Sequence, residues 1–160
     1  MRITIACVGK MKAGAERDIC ERYLERARKA GRSLGVKAVS VVELSESRAA
    51  RTQDRKAEEA AALLKAIPAG ATVVVLDEHG KSMGSEAFAQ KISSSLDQGI
   101  GDFCLVIGGA DGHGRDILEK AQIKLALGAM TWPHQLVRIL LAEQVYRAIT
   151  ILSGHPYHRV

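Results

Sequence analysis

The segment Phe103-Cys-Leu-Val-Ile107 is an uninterrupted apolar run, and it leads directly into the glycine-rich segment Gly108-Gly-Ala-Asp-Gly-His-Gly114. A short continuous apolar run is typical of a β-strand that is covered on both faces. In a parallel α/β sheet, ligands bind at the carboxyl ends of the strands. The junction at Ile107 therefore predicts a buried parallel strand with a candidate binding loop at its end.

Outward from this strand, segments with strand and helix periodicity alternate along the whole chain. The predicted strands are Arg2–Val8, Lys37–Leu44, Thr72–Leu76, Phe103–Ile107 and Ile123–Leu127, with a turn at Asp77–Lys81. The predicted helices are Ala15–Ala30, Arg48–Ile67, Glu86–Leu96 with Ser85 as its cap, Asp116–Ala121 and His134–Leu152. This alternation predicts an α/β fold with a mostly parallel sheet, as a single domain over residues 1–160.

The overall composition is that of an ordinary globular protein. Hydrophobic residues make up 47% of the 160 and charged residues 26%, which excludes a disordered or collagen-like chain. The longest apolar runs are about a quarter of a membrane span, so no transmembrane helix is predicted. The first residues do not resemble a signal peptide. The three cysteines lack metal-like spacing and fit reduced thiols, so a cytoplasmic protein is expected.

The positive charge is concentrated in the first half of the chain. Residues 1–70 carry 15 basic and 9 acidic side chains, a net charge of +6, whereas the whole chain has a net charge of +5. Such an asymmetry favours a polyanionic partner, nucleic acid first. A solvated helix face with surplus arginine explains it equally well.

The glycine-rich segment does not match the common phosphate-binding motifs. Its glycine spacing departs from G-x-G-x-x-G, it follows the fourth predicted strand, and no Gly-Lys-Ser/Thr follows it. Gly108 and Gly109 would let the backbone approach a ligand closely. The alternative is a tight turn that needs glycine for steric reasons alone.

Two further segments carry candidate functional groups. Leu127-Gly-Ala-Met-Thr-Trp-Pro-His134 holds the only tryptophan, and a flat ring beside free backbone polar groups suits an adenine. The alternative is that Trp132 plugs the core. The tail Gly154-His-Pro-Tyr-His-Arg-Val160 offers proton transfer, a hydroxyl and a guanidinium, unless it is a frayed terminus.

The remaining polar side chains have structural interpretations. His155 and His158 are too few ligands for zinc, and no metal site is expected. The isolated His79, His113 and His134 are predicted to be hydrogen-bonding loop residues rather than catalysts. Arg138 and Glu143 are predicted to form a pair, within the last helix or at a subunit interface.

Three segments of the chain, taken together, resemble the RlmH family. They are Leu-Val-Ile-Gly-Gly-x-x-Gly, Met130-Thr-Trp-Pro-His-Gln-Leu-Val-Arg-Ile-Leu-Leu-Ala-Glu-Gln-Val-Tyr-Arg-Ala148 and His155-Pro-Tyr-His-Arg159. The resemblance covers the whole chain and is most specific in residues 103–160. It implies an S-adenosylmethionine-dependent methyltransferase of the SPOUT class, with an α/β/α parallel-sheet fold and a C-terminal trefoil knot. It also implies a homodimer that methylates N3 of a pseudouridine in large-subunit (23S) ribosomal RNA.

The resemblance also implies roles for individual residues. The cofactor positions are Leu76, Gly108, Leu127, Gly128, Ala129, Met130, Thr131 and Trp132. In the tail, His158 is the expected base, and His155 is a weaker candidate for that role. Tyr157 is expected to act as a positioning group or as an alternative base. Arg159 is expected to contact RNA phosphate or the uracil oxygens.

Two places depart from the family pattern. Ala110 and Asp111 stand where the family usually has Pro and a larger residue, which predicts a less rigid glycine loop. Gly128 stands where the family usually has Ser, so a side-chain hydrogen bond is expected to be missing. Both positions retain a backbone-mediated site.

Three alternative functions follow from the same residues. The first is a SPOUT methyltransferase that acts on another RNA position. The second is an RNA-binding module with a decayed cofactor pocket, for which Ala110 and Gly128 are the hints. The third is a flavodoxin-like nucleotide binder. It requires a phosphate-binding loop after the first strand, and the segment found there, Gly9-Lys-Met-Lys-Ala-Gly14, is a poor match to such a loop.

Overall fold

A computed structural model describes residues 1–158 and contains a five-stranded sheet and five α-helices. The strands are β1 (Arg2–Val8), β2 (Ala38–Leu44), β3 (Thr72–Lys81), β4 (Asp102–Ile107) and β5 (Ile123–Leu125). The helices are α1 (Ala15–Gly31), α2 (Thr52–Ala66), α3 (Ser85–Asp97), α4 (Arg115–Lys120) and α5 (His134–Leu152), with a 3-10 turn at Arg32–Leu34.

All strand pairs in the sheet are parallel, in the order β2-β1-β4-β3-β5. Ile3 lies beside both Val39 and Phe103, so β1 lies between β2 and β4. Because the strands are parallel, their carboxyl ends meet at one edge of the sheet. The segments that follow Leu76, Ile107 and Leu125 therefore lie side by side.

Helices cover both faces of the sheet. The side chains of β4 alternate between the two faces: Phe103, Leu105 and Ile107 belong to the core shared with α1, α3 and α5, whereas Cys104 and Val106 belong to the core shared with α2 and α4. Period-two alternation of this kind is the geometry of a strand. The predicted α/β/α layering is confirmed.

The third strand is longer than the sequence predicted. Asp77–Lys81, predicted as a turn, continues β3, and Lys81 pairs with Leu125 after an irregularity that follows Leu76. At Gly80 a Cβ would lie 2.7 Å from the backbone of Lys124. The absence of a side chain at Gly80 therefore permits the close approach of β3 and β5, which the polar composition of the segment concealed.

Three other predicted boundaries need correction. β5 ends at Leu125, and α2 begins at Thr52 instead of Arg48. Ser85 does not cap α3, because it is the first residue of that helix and its hydroxyl donates to Oε1 of Gln144 at 2.8 Å. That hydrogen bond joins α3 to α5.

The apolar residues of α5 do not all face the sheet. Leu141, Val145 and Ile149 are fully buried, whereas Leu136 and Leu140 are 40% and 37% exposed. These apolar residues therefore do not share one side of α5, although their spacing along the helix predicts a single apolar stripe. Leu136 and Leu140, four residues apart, lie on a second face of the helix that this chain leaves uncovered.

The predicted pairing of Arg138 with Glu143 is also wrong. The buried Arg138 guanidinium forms a salt bridge with Glu43 at the end of β2 and donates to the carbonyl of Gly9 at 3.0 Å. Glu143 instead accepts hydrogen bonds from Arg147, one turn further along α5. Arg138 therefore fastens α5 to the carboxyl ends of β1 and β2.

The three cysteines are buried and free. Burial raises the pKa of the Cys7 and Cys104 thiols to about 11. Both therefore stay protonated in the folded protein near neutral pH. Among the helices of residues 1–158, none is long and apolar enough to cross a membrane.

Candidate functional site

A cavity of about 390 Å³ lies at the carboxyl edge of the sheet, between the segments that follow Leu76, Ile107 and Leu125. This volume is within the range of small-molecule sites. The predicted cofactor positions that line it are Leu76, Gly108, Leu127, Gly128, Met130, Thr131 and Trp132. Ala129 belongs to the same loop, but it is not part of the lining. The predicted cofactor positions at Leu76, at Gly108 and in the loop 127–132 are thus brought together in one place.

The glycine loop is packed against two polar side chains. A Cβ at Gly108 would lie 2.9 Å from Cε1 of His113, and a Cβ at Gly109 would collide with the carboxylate of Glu59 on α2. A tight turn closes the loop, with the amide of Gly112 donating to the carbonyl of Gly109 at 3.0 Å. Packing within the protein is therefore sufficient to require glycine at positions 108 and 109, which both also line the cavity.

Asp111 ties the glycine loop to α2. Its carboxylate forms a two-pronged salt bridge with Arg55, at 2.7 and 3.1 Å. The hydrogen bonds from Arg55 lower the pKa of Asp111 below its usual range. Arg55 also donates to the carbonyls of Ala49 and Ala50. The salt bridge of Asp111 thus restrains the glycine loop next to Ala110, which stands where the family usually has proline.

The loop after β5 presents its tryptophan to the cavity. Trp132 is 38% exposed, so it does not plug the core, and its indole N–H donates to the carbonyl of Leu127 at 3.3 Å. Met130 beside it is 74% exposed. Gly128 has φ +105°, a conformation that side chains with a Cβ rarely adopt. The local backbone therefore accounts for glycine at the position where the family usually has Ser.

His113 joins two of the three segments around the cavity, since it lies in the glycine loop and contacts Leu76 in β3. Its ring Nε2 lies 2.8 Å from the carbonyl oxygen of Leu76, and the residue is only 8% exposed. Because a carbonyl only accepts, Nε2 carries the proton in this hydrogen bond. The predicted loop hydrogen bond is present. Its position in the wall of the cavity was not predicted, since nothing in the sequence indicates which carbonyl a lone histidine will meet.

The tail packs on α5 instead of fraying. The Tyr157 hydroxyl donates to Oε1 of Glu143 at 3.1 Å, and its ring lies 4.6 Å from that of Tyr146 between centroids. The guanidinium of Arg147 lies 4.9 Å from the centroid of the Tyr157 ring. His158 Nε2 is 3.6 Å from a carboxylate oxygen of Glu86 on α3. Arg159 lies outside the described residues.

The structure does not bring the tail to the cavity of the same chain. The cavity is lined by His134 and Val137, whereas the tail packs at Glu143. Six residues of helix separate Val137 from Glu143, about 9 Å along the axis. Burial, with hydrogen bonds to Tyr23 and Glu143, raises the pKa of the Tyr157 phenol. In this conformation Tyr157 stays protonated, which argues against its alternative role as a base.

Comparisons with known proteins agree with this architecture. Residues 1–158 match the family described as "Predicted SPOUT methyltransferase". A probable methylase family protein from Haemophilus influenzae Rd KW20 superposes with a TM-score of 0.51 and 12% sequence identity, covering 99% of this chain and 70% of that one. At that identity the likeness shows the fold alone.

The sequence relatives are much closer. A protein from Xanthobacter autotrophicus is 52% identical over 159 residues and one from Rhizobium leguminosarum bv. trifolii is 53% identical over 160 residues, with 99% and 100% of both chains covered. A protein from Rhizobium meliloti is 54% identical over 159 residues, with 99% of both chains covered. All three are named "Ribosomal RNA large subunit methyltransferase H". The chain therefore belongs to the SPOUT methyltransferases and, within them, to the RlmH family.

Proposed function

We propose that this protein transfers a methyl group from S-adenosylmethionine to N3 of a pseudouridine in large-subunit (23S) ribosomal RNA. The observation that carries the proposal is the cavity at the sheet edge, which unites the predicted cofactor segments in a chain whose full-length relatives are rRNA methyltransferases. Family membership also implies a C-terminal trefoil knot. A cytoplasmic location follows from the substrate.

The residues of the cavity fit the cofactor. Trp132 and Met130 offer apolar surface for a purine ring, and the backbone of Leu127–Trp132 offers hydrogen-bonding groups for its edge. Asp77 and Glu78 also line the cavity and supply negative charge suited to a cationic ligand. When bound, S-adenosylmethionine supplies an electrophilic methyl group on a positively charged sulfonium. Among residues 1–158, no three potential metal-ligating side chains cluster together.

The acceptor requires help from the protein. N3 of a pseudouridine lies between two carbonyl groups and must lose its proton before or during attack on the methyl group. We assign His158 as the group that takes this proton, and Arg159 as the contact to RNA phosphate or to the uracil oxygens. Tyr157 positions the tail through its hydrogen bond to Glu143. Alignment of the acceptor nitrogen with the methyl group supplies much of the rate.

A homodimer completes the site. The tail of one chain lies about 9 Å along α5 from Val137, the nearest lining residue of its own cavity. Within residues 1–158, the large apolar side chains that remain exposed all belong to the segment 130–140 and form an apolar cluster there: Met130, Trp132, Leu136 and Leu140. Exposed apolar patches of this kind mark interfaces. Pairing of two chains through this cluster would cover it and would let the tail of one chain act at the cavity of its partner.

Gly108→Val should weaken binding of S-adenosylmethionine at least about tenfold, because the new side chain displaces His113 from the cavity wall. Isothermal titration calorimetry would measure the affinity, and circular dichroism would check the fold. Gly101→Ala is a matched control, since a Cβ there meets nothing within 4 Å. Unchanged affinity in a folded Gly108→Val protein would refute the assigned pocket.

Mass spectrometry of ribosomal RNA tests the reaction itself. A strain that lacks the gene should lose one methyl group from a pseudouridine of the large-subunit RNA, and the purified protein should restore it. Loss of a methyl group elsewhere would favour a SPOUT enzyme with another target. If no methyl group is lost and calorimetry detects no cofactor binding, the protein is an RNA-binding module. Restoration on assembled subunits but not on free RNA would identify the ribosome as the substrate.

A further inference from the structure

His113 is the most deeply buried ionisable side chain in the wall of the cavity. It is 8% exposed, and its ring lies between the end of β3 and the glycine loop. The mechanism above assigns it no role. Its two nitrogens differ sharply: Nε2 is hydrogen-bonded to Leu76, whereas Nδ1 is buried with no hydrogen-bond partner.

The contacts of the ring join two predicted cofactor positions. The Nε2–H group donates to the Leu76 carbonyl at 2.8 Å, and the ring packs against Gly108 so closely that a Cβ there would lie 3.0 Å from Nδ1. Leu76 lies where the regular pairing of β3 with β5 is interrupted, and Gly108 directly follows Ile107, the last residue of β4, which pairs with Leu76. A change in the position of the imidazole would therefore alter the spacing of these two segments at the cavity.

We propose that His113 is a positioning residue for the methyl donor: its neutral imidazole, bonded to Leu76 and packed on Gly108, holds the cavity in its binding geometry. The inference rests on the proposed function. It extends that function by making cofactor affinity depend on the protonation state of one histidine. His113 itself need not touch the cofactor, because it acts through Leu76 and Gly108.

Protonation would break this arrangement. A proton on Nδ1 would create a buried charged N–H group that faces Gly108, where no acceptor is available. Burial lowers the pKa of His113 below its ordinary value, and the nearby Lys56 and His134 lower it further, whereas the hydrogen bond to Leu76 and the charge of Asp77 raise it. Neutral imidazole therefore prevails at neutral pH, and acid should drive the ring out of its site.

The sign of the pH effect follows from this. Above the ordinary histidine pKa of about 6.5, His113 is neutral and affinity should be independent of pH. As the pH falls through the lowered pKa of His113, affinity should fall by up to about tenfold per pH unit, since binding then requires loss of one proton. The contribution of His113 to the free energy of unfolding depends on pH in the same direction. It is fully present above about pH 6.5 and is lost as the pH falls through the lowered pKa of His113.

The test is a titration of the protein with S-adenosylhomocysteine at pH values from 8 to 5. Trp132 fluorescence and calorimetry both measure the affinity. Trp132 is the only tryptophan of the chain and lines the cavity. His113→Leu should weaken binding about tenfold at pH 8, because the Leu76 carbonyl loses its donor. His113→Gln keeps an N–H group at the same number of bonds from Cβ. It should restore affinity to within about threefold of the wild type and abolish the fall in acid.

Two matched variants separate His113 from its neighbours. His79 and His134 also line the cavity, so His79→Gln and His134→Gln are controls for the other histidines of the lining. Both variants should keep the fall in affinity at acid pH. A purely structural role for His113 would lower the unfolding temperature of His113→Leu but would leave affinity at 20 °C, and its pH profile, unchanged.

The outcomes are distinguishable. Wild-type affinity in His113→Leu, or a wild-type pH profile in His113→Gln, overturns the inference and leaves the proposed function standing. The inference is likewise overturned, and the proposed function stands, if the wild-type protein binds S-adenosylhomocysteine with the same affinity from pH 8 to pH 5. A wild-type protein that does not bind at pH 8 overturns the proposed function together with the inference.

Discussion

His158→Ala should lower the rate of methyl transfer at least about a hundredfold, the low end of what one positioned acid–base group contributes. The loss should shrink at high pH, where N3 of the acceptor ionises without a base. Cofactor affinity should stay unchanged, because His158 packs near Glu86 on α3 and not in the cavity. Single-turnover methylation of an RNA stem-loop between pH 7 and 10 would measure the effect.

Neighbouring variants provide the controls for His158. Tyr157→Phe keeps the ring on Tyr146 and removes the hydroxyl that Glu143 accepts from, so it should cost much less than His158→Ala. Arg159→Ala should mainly weaken RNA binding, with a smaller effect at high salt if phosphate is its partner. Truncation after Gly154 is a poorer test, since it also removes the packed ring of Tyr157. An unchanged rate in His158→Ala would exclude His158 as the base.

The double substitution Leu136→Arg/Leu140→Arg should convert a dimer into monomers and reduce methyl transfer at least about a hundredfold. Two charges on the exposed apolar face of α5 would prevent its burial against a second chain. Each monomer should still bind the cofactor, because its cavity is complete, but the tail would have no partner cavity to enter. Light scattering and calorimetry on the same sample would measure both properties.

Conservative and mixed variants sharpen this prediction. Leu136→Met/Leu140→Met keeps the face apolar and should preserve both the dimer and the activity. A mixture of equal amounts of His158→Ala and Gly108→Val proteins, dissociated and allowed to pair again, tests whether tail and cavity come from different chains. Half of the dimers then contain one chain of each kind, and one of their two sites combines an intact tail with an intact cavity. The mixture should therefore recover about a quarter of wild-type activity. A monomer with full activity, or a mixture with no recovery, would contradict the shared site.

The sequence predicted the elements whose signal is local. His134–Leu152 was predicted with the bounds that the structure has, because proline precedes the helix and glycine follows it closely. Arg2–Val8 likewise matches β1. The convergence of the three cavity segments was also predictable, since parallel strands place their carboxyl ends together.

What the sequence could not reveal depends on contacts between distant residues. Arg138 lies on the same helix as Glu143 yet pairs with Glu43, 95 residues away. The polar segment Asp77–Lys81 continues a strand because it lies at the irregular end of the pairing with β5. The tether between Arg55 and Asp111 joins residues 56 positions apart. None of these contacts has a periodic signature, so only the folded chain reveals them.

The placement of α5 has a consequence for how the chain comes to be folded during synthesis. Leu141, Val145 and Ile149 complete the same core as Cys20 and Leu24 of α1, so the apolar face of α1 is covered only after α5 has been synthesised. The opposite core uses residues no later than Ala121 and can close first. At synthesis rates of about 5–20 residues per second, the apolar face of α1 stays uncovered for seconds. Transiently exposed apolar surface is prone to aggregation, so the nascent chain is most exposed to aggregation during that interval.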